Sequence, residues 1–286
     1  MGGGAVTAPG IVWIVSYPKS GNTWVRLLLS TLAAGGALPD LSRPLPHCPH
    51  SAARVWIENV LDIPTSDLLN DEVTALRKEA IRRVALMNKP PFWLKAHDFY
   101  DADLFPAEVT AGTIHVLRDP RDVAPSWADH MAVSLDEAIR RMNLPDFTMA
   151  VTGADFRPQA RQRLGSWSGN VTSWLDGPPG PVLTLRYEDM QADPTNAVRR
   201  IGAFVGLPTE PGIVAATVAA CDFARLKAAE GKSGFLERMG HQRTFFRQGR
   251  AGAWRDTLTE DQAERLWRDH GATMTRLGYD RDGSSP

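Results

Sequence analysis

Cysteine is nearly missing from this 286-residue sequence, which carries only Cys48 and Cys221. That excludes a disulfide framework and a zinc module built on repeated cysteine pairs. A strong charge of either sign is also lacking, since 32 Lys and Arg face 33 Asp and Glu, for a formal net charge of −1. Such a balance gives no general pull toward nucleic acid or an anionic membrane, so an anionic ligand has to be held by a local cluster of donors. Long apolar runs are missing too. The run Ile11–Val15 is far too short for a signal or membrane-spanning segment, and the Gly- and Ala-rich residues 1–10 lack a cationic start. Gly2 opens no myristoylation motif, because Val6 stands where Ser or Thr is needed. The expectation is a cytoplasmic protein with no membrane insertion and no nucleic-acid partner.

What is present is the balance of an ordinary globular chain, 43% hydrophobic and 23% charged, long enough to close one substantial core. One domain over residues 11–279 is expected, with short flexible ends at 1–10 and 280–286. Short apolar runs alternate with amphipathic stretches, which reads as an α/β fold with a central, mostly parallel sheet flanked by helices. Residues 11–16, 92–95, 113–117 and 182–185 read as buried strands. A first helix is expected over 22–32, with Trp24, Leu27, Leu28 and Leu32 on one face. Leu164, Trp167, Val171 and Trp174 step by three and four, which predicts a helix over 161–174. Thr259 and Gln262 form a capping box at the head of a terminal helix. Residues 44–88 read as an insertion of helix and loop, with an amphipathic segment near 76–87, placed to carry acceptor specificity.

The sharpest signal is Ser16-Tyr17-Pro18-Lys19-Ser20-Gly21-Asn22-Thr23-Trp24, a strand that breaks into a turn and opens a helix. Backbone N–H groups at such a helix start favour an anion, and Lys19 and Thr23 add a charge and a hydroxyl to the cradle. A P-loop kinase using ATP–Mg²⁺ is the rival reading, but its loop places Gly before Lys, whereas here Lys19 precedes Gly21. Asp119 and Asp122 are the carboxylates on offer for Mg²⁺; both lie among arginines and read as charge-paired structural groups. His47, Cys48 and His50 sit together between prolines without an obvious fourth ligand, so a plain loop is favoured over a metal site.

The loop resembles that of the PAPS-dependent sulfotransferase family (PAPS, 3'-phosphoadenosine 5'-phosphosulfate), cytosolic type, with Asn22 in place of a Thr. The likeness recurs in order at Leu94-Lys95-Ala96-His97, at Arg118 to Ser126, at Gly165 to Trp174, at Tyr187-Glu188-Asp189 and at Phe245 to Trp254. The resemblance implies transfer of a sulfuryl group from PAPS to a hydroxyl of a small-molecule acceptor, without a metal. It implies that Lys19, Ser20, Gly21, Asn22 and Thr23 wrap the 5'-phosphate and that Trp24 stacks on the adenine between Phe223 and Phe245. Arg118 and Ser126 would bind the 3'-phosphate, although Pro125 fits there only if the helix begins within a residue or two of it. The resemblance implies a second clasp from Arg247, Gln248 and Gly249; Gln248 replaces a Lys, a loss that Arg250 or Arg243 would offset. Tyr187 matches a residue near the nucleotide and reads equally well as packing.

The acceptor hydroxyl needs a general base, and His97 follows a strand end where α/β sheets place their ligands and occupies the family's His position. Lys95 would aim at the sulfuryl oxygens, while His115 and His130 read as structural or pocket-lining. Asn170 replaces a pocket-lining His of many members, so a phenol or steroid pocket is not implied. Residues 254–260 resemble a small dimerisation motif but carry Arg255 and Glu260 at altered positions, which degrades it while leaving an oligomer possible.

Overall fold

The computed structural model describes residues 5–6, 8–87, 92–150 and 158–283. Parts of the two termini set apart above, residues 1–4, 7 and 284–286, and residue 88 of the insertion lie outside these. In chain order the elements are β1 (Ile11–Val15), α1 (Asn22–Ala33), α2 (Arg54–Leu61), α3 (Asn70–Met87), β2 (Phe92–Ala96) and β3 (Thr110–Leu117). There follow α4 (Pro120–Met131), α5 (Leu135–Met142), β4 (Thr148–Met149), β5 (Gln162–Arg163), α6 (Trp167–Asp176) and β6 (Val182–Arg186). The chain continues through α7 (Tyr187–Ala192), α8 (Pro194–Val205), α9 (Pro211–Ala220), α10 (Phe223–Ser233) and α11 (Glu260–Arg276).

β1 reads Ile-Val-Trp-Ile-Val and is buried on both faces, as a central strand of a covered parallel sheet must be. Its alternate side chains supply two cores. Val12 and Ile14 join α1, α8 and α9 on one face, while Ile11, Trp13 and Val15 join α2, α3 and Trp174 on the other. The strand order is β2-β1-β3-β6, all parallel. Every strand therefore ends at the same edge, and the register sets Val15 beside Ala96 and Leu117 beside Arg186. The next residues along these strands, Ser16, His97, Arg118 and Tyr187, meet at that edge. The order reverses between β1 and β3, which is where such sheets open a ligand crevice.

Two expectations from sequence change. The helix over 161–174 starts later, at Trp167, because Gly165 adopts φ 67° and the Ser166 side chain caps the helix by accepting from the Gly169 N–H. Gln162 and Arg163 instead pair with Thr148 and Met149. The helix holding Pro125 begins at Pro120, five residues ahead of it, so the expectation of a start beside Pro125 fails. Asp119 caps that helix by accepting from the Arg121 N–H, and Pro120 takes the first position, where its missing N–H costs nothing. In the insertion, α3 extends back to Asn70 and buries Val73, Arg77, Ala80, Ile81 and Val84 at helical spacing. The capping box of Thr259 and Gln262 is formed at the head of α11. No helix among the described residues is long and apolar enough to cross a membrane.

Candidate active site

A cleft of about 1430 Å³ opens at the C-terminal edge of the sheet. Lys19, Gly21, Asn22, Thr23, Trp24, Lys95, His97, Arg118, Ser126, Tyr187, Phe223, Phe245, Arg247, Gln248 and Gly249 all line it. Ser20, by contrast, is buried beneath the turn, where its N–H donates to the Tyr17 carbonyl.

The turn is shaped by two left-handed residues, Lys19 at φ 69° and Gly21 at φ 102°. A side chain at Gly21 would bring a Cβ within 2.7 Å of the Tyr187 ring, so glycine is demanded twice over. Asn22 is buried, and its amide donates to the Ile14 carbonyl at 3.0 Å, tying α1 to β1. The Trp24 indole N–H donates to the Cys221 carbonyl at 3.1 Å, and its ring lies edge-on to Tyr187 at 5.5 Å.

Arg118 lies over the Tyr187 ring at 4.2 Å, while its terminal nitrogens donate to the Lys19 and Arg250 carbonyls at 3.3 and 3.2 Å. Its Nε is buried with no partner among the described residues, an unsatisfied donor at the cleft wall. Gly249 adopts φ 60°, and a Cβ there would lie 2.1 Å from the Phe223 ring, so the clasp loop packs flush against α10. Arg247 is 41% exposed, and a carboxylate oxygen of Asp129 lies 4.0 Å from it. Gln248 is exposed, and neither of its expected substitutes lines the cleft. Arg250 is engaged by Asp256 and Arg243 is exposed.

The sequence reading of Asp119 and Asp122 needs one refinement. Asp119 pairs with Arg121, but Asp122 accepts from the backbone N–H groups of Gly252 and Trp254 at 2.7 and 2.8 Å. Both carboxylates are thus committed to holding α4 and the 252–254 turn. The segment resembling a dimer motif folds onto its own chain, with the Trp254 ring contacted by Arg121 at 4.2 Å and Arg255 at 4.7 Å. His47 and Cys48 do not converge with His50: the His47 ring lies edge-on to Trp93, and Cys48 is buried. No cluster of three His, Cys, Asp or Glu able to hold a metal occurs among the described residues.

His97 Nδ1 lies 2.8 Å from the Ser16 carbonyl oxygen. A carbonyl only accepts, so the proton sits on Nδ1 and the Nε2 lone pair is left free. Burial, then the Lys95 charge, hold this imidazole well below its usual value, against the Ser16 bond, which works the other way. It is neutral at pH 7 and able to take a proton. Burial brings Lys19 down to about 8, with the Lys95 charge adding to it, and brings Lys95 to about 8 despite Glu237. The cleft therefore concentrates positive charge that a bound anion would satisfy. Lys19 also rests on the Phe245 ring, 4.4 Å from its centroid.

His115 is buried inside β3, and burial takes it to about 3. His130 reaches the cleft stacked on Trp127 at 5.7 Å. Asn170 does not line the cleft. It is buried, and its amide donates to the carbonyls of His97 at 3.1 Å and Leu164 at 3.0 Å, fixing the end of β2 from below.

Glu237 was missed from sequence. It accepts from Arg26 at 2.7 Å and from Thr23 at 3.4 Å, and lies 3.5 Å from Lys95. Burial raises its carboxyl, but Lys95 and Arg26 outweigh that and hold it at about 2. The available signal was Arg26 itself, a charge placed between the apolar Val25 and Leu27 of α1, which needs a buried partner.

Comparison with known proteins adds that a family model described as the sulfotransferase domain matches residues 9–278. Cytosolic sulfotransferase 16 of Arabidopsis thaliana is 26% identical over 269 residues, covering 88% of this chain and 72% of the relative. Flavonol 3-sulfotransferase of Flaveria bidentis is 24% identical over 275 residues, covering 90% and 80%. Among solved structures, retinol dehydratase in complex with androsterone and the inactive cofactor PAP superposes with a TM-score of 0.60 at 19% identity, covering 93% of this chain and 81% of that one. A mouse sulfotransferase complexed with PAP gives 0.58 at 18% identity, covering 95% and 86%. At that identity these structures bear on the fold.

Proposed function

The chain belongs to the sulfotransferase domain family, and from that premise we propose that it moves a sulfuryl group from PAPS to a hydroxyl of a small-molecule acceptor, with His97 as general base. One observation carries the reading: a single cleft joins the Lys19 turn, the orphaned Arg118 Nε and the 247–249 clasp to a histidine whose free Nε2 is set by the Ser16 carbonyl. The residues present fit the donor. Lys19 and the N–H groups opening α1 would hold the 5'-phosphate, while Arg118, Ser126 and Arg247 would hold the 3'-phosphate. Trp24, Phe223 and Phe245 would enclose the base. PAPS, when bound, supplies the sulfuryl group and a phosphate leaving group.

The chain's own residues do the rest. Lys19 offsets charge growing on the departing phosphate oxygen, Lys95 faces the sulfuryl oxygens, and His97 Nε2 takes the acceptor proton. An anion beside Lys95 offsets that lysine's share of what depresses His97, leaving the larger share due to burial, so the base gains some strength once the donor is in place. The cleft exceeds the roughly 300–1,000 Å³ of a typical single-ligand site, which suits two ligands side by side.

Calorimetric titration with adenosine 3',5'-bisphosphate (PAP), beside adenosine 5'-monophosphate and ATP–Mg²⁺, tests the donor half. Micromolar binding that needs the 3'-phosphate is expected. Indifference to that phosphate, or tighter binding of ATP–Mg²⁺, would overturn it in favour of a kinase.

A further inference from the structure

Two histidines face the same part of the cleft with opposite tautomers, each set by the main chain. His97 holds its proton on Nδ1, against the Ser16 carbonyl at 2.8 Å. His50 Nδ1 lies 3.0 Å from the Ala52 backbone nitrogen, whose N–H can only donate, so this Nδ1 accepts and the His50 proton sits on Nε2. The ring centroids are 5.8 Å apart, about the span of two hydrogen bonds of about 2.8–3.0 Å that meet at one oxygen atom between the rings. Both rings line the cleft, and neither Nε2 has a partner among the described residues.

The pairing is anchored from behind. Lys95 N–H donates to the Pro49 carbonyl and Ser51 N–H to the Lys95 carbonyl, each at 3.0 Å, so the His50 segment lies along β2 like a short extra strand. Arg77 of α3, 1% exposed, then clamps the residues that follow the two histidines. It donates to Ser51 through the carbonyl at 3.0 Å and the hydroxyl at 2.9 Å, and to the Asp98 carboxylate at 2.9 and 2.6 Å.

We propose that His50 touches the acceptor oxygen, donating Nε2–H to it while His97 Nε2 takes its proton, and that this pair selects hydroxyl over amine acceptors. The inference rests on the sulfuryl-transfer reading above. The acceptor oxygen has two lone pairs: one receives the His50 hydrogen bond and the other forms the bond to sulfur. Its proton passes to His97 Nε2, giving an imidazolium, and the bond from sulfur to the 5'-phosphate oxygen breaks with its electron pair leaving on that oxygen. A neutral amine has a single lone pair, which the attack on sulfur consumes. The His50 N–H is then left unpaired in a desolvated cleft, and sites built to pair with a hydroxyl penalise such acceptors on the order of tenfold or more.

The test uses wild type, His50→Phe and His50→Gln, with 1-naphthol and 1-naphthylamine competing for PAPS and PAP affinity measured on each protein. Wild type is expected to prefer the naphthol. His50→Phe should lower the hydroxyl-to-amine ratio of kcat/KM by about tenfold or more at unchanged PAP affinity, and His50→Gln, which keeps an N–H donor, should retain much of it. An unchanged ratio in His50→Phe, or no preference in wild type, overturns the proposal. Long-range ¹H–¹⁵N spectra of the wild-type PAP complex at pH 7 read the tautomers without any acceptor. Protonated Nε2 on His50 with protonated Nδ1 on His97 supports the pair, whereas one tautomer on both rings, or an imidazolium at His50, overturns it. Failure of wild type to bind PAP would instead remove the underlying transfer reading.

Discussion

Replacing Arg77 by Met keeps most of the side-chain volume and removes a guanidinium that is 1% exposed. Asp98, itself 3% exposed, is then left buried without the ion pair at 2.6 Å, and the Ser51 carbonyl and hydroxyl lose their donors. Breaking one side of a buried, hydrogen-bonded pair costs about 3–5 kcal/mol. For a domain of this size, roughly 2–4 °C of melting temperature goes with each kcal/mol, so a fall of about 6–20 °C is expected. Scanning calorimetry of Arg77→Met measures it. The double variant Arg77→Met/Asp98→Leu strands no charge and should recover most of the loss. A single variant that melts within about 3 °C of wild type, or a double variant no more stable than the single, would refute the buried clamp.

Lys19 and Lys95 are brought from 10.5 to about 8, so each is charged below that pH and neutral above it. kcat/KM for PAPS should accordingly fall as pH rises through about 8, while kcat at saturating donor holds to higher pH because the bound anion raises both groups; a flat profile from pH 7 to 10 would contradict it. Gly249→Ala places a Cβ 2.1 Å from the Phe223 ring at a φ of 60°, so PAP affinity should drop by about tenfold or more, read by calorimetry. Gln248→Lys restores a cation to the clasp and should tighten PAP binding while steepening its loss with added salt, measured between 50 and 300 mM salt.

The strand edge was legible because its signals are local. Buried parallel strands read as continuous apolar runs, as in Ile-Val-Trp-Ile-Val, and the turn that follows carries its Lys, Gly and Thr within a few residues. The same locality placed Arg118 just beyond β3 and His97 just beyond β2. Boundaries failed where backbone chemistry overrode periodicity. Leu164, Trp167, Val171 and Trp174 are all buried as their spacing required, yet Gly165 and the Ser166 cap start the helix three residues after Leu164. Pro125 was held to fit only near a helix start, but Asp119 and Pro120 supply the start, leaving Pro125 in the interior.

What sequence could not give is pairing across long separations. Glu237 meets Arg26 across 211 positions, and nothing around Phe235 or Leu236 marks it as part of a site. His50 stood in a Pro-rich segment read as a plain loop, and only the Ala52 and Ser16 bonds set its ring against that of His97. The insertion was expected to carry acceptor specificity; its α3 buries Arg77 behind the two histidines, a placement visible only in the fold.

Sulfuryl transfer by wild type and His97→Ala, each saturated with PAPS and offered a panel of phenols and alcohols, tests the central claim most directly when PAP affinity is measured on both proteins. Wild type should transfer the group to at least one hydroxyl, and His97→Ala should lose about a hundredfold or more in kcat with PAP affinity nearly intact. Equal turnover by the two proteins would contradict a base at His97, and the absence of transfer by a wild type that binds PAP would contradict the enzyme reading.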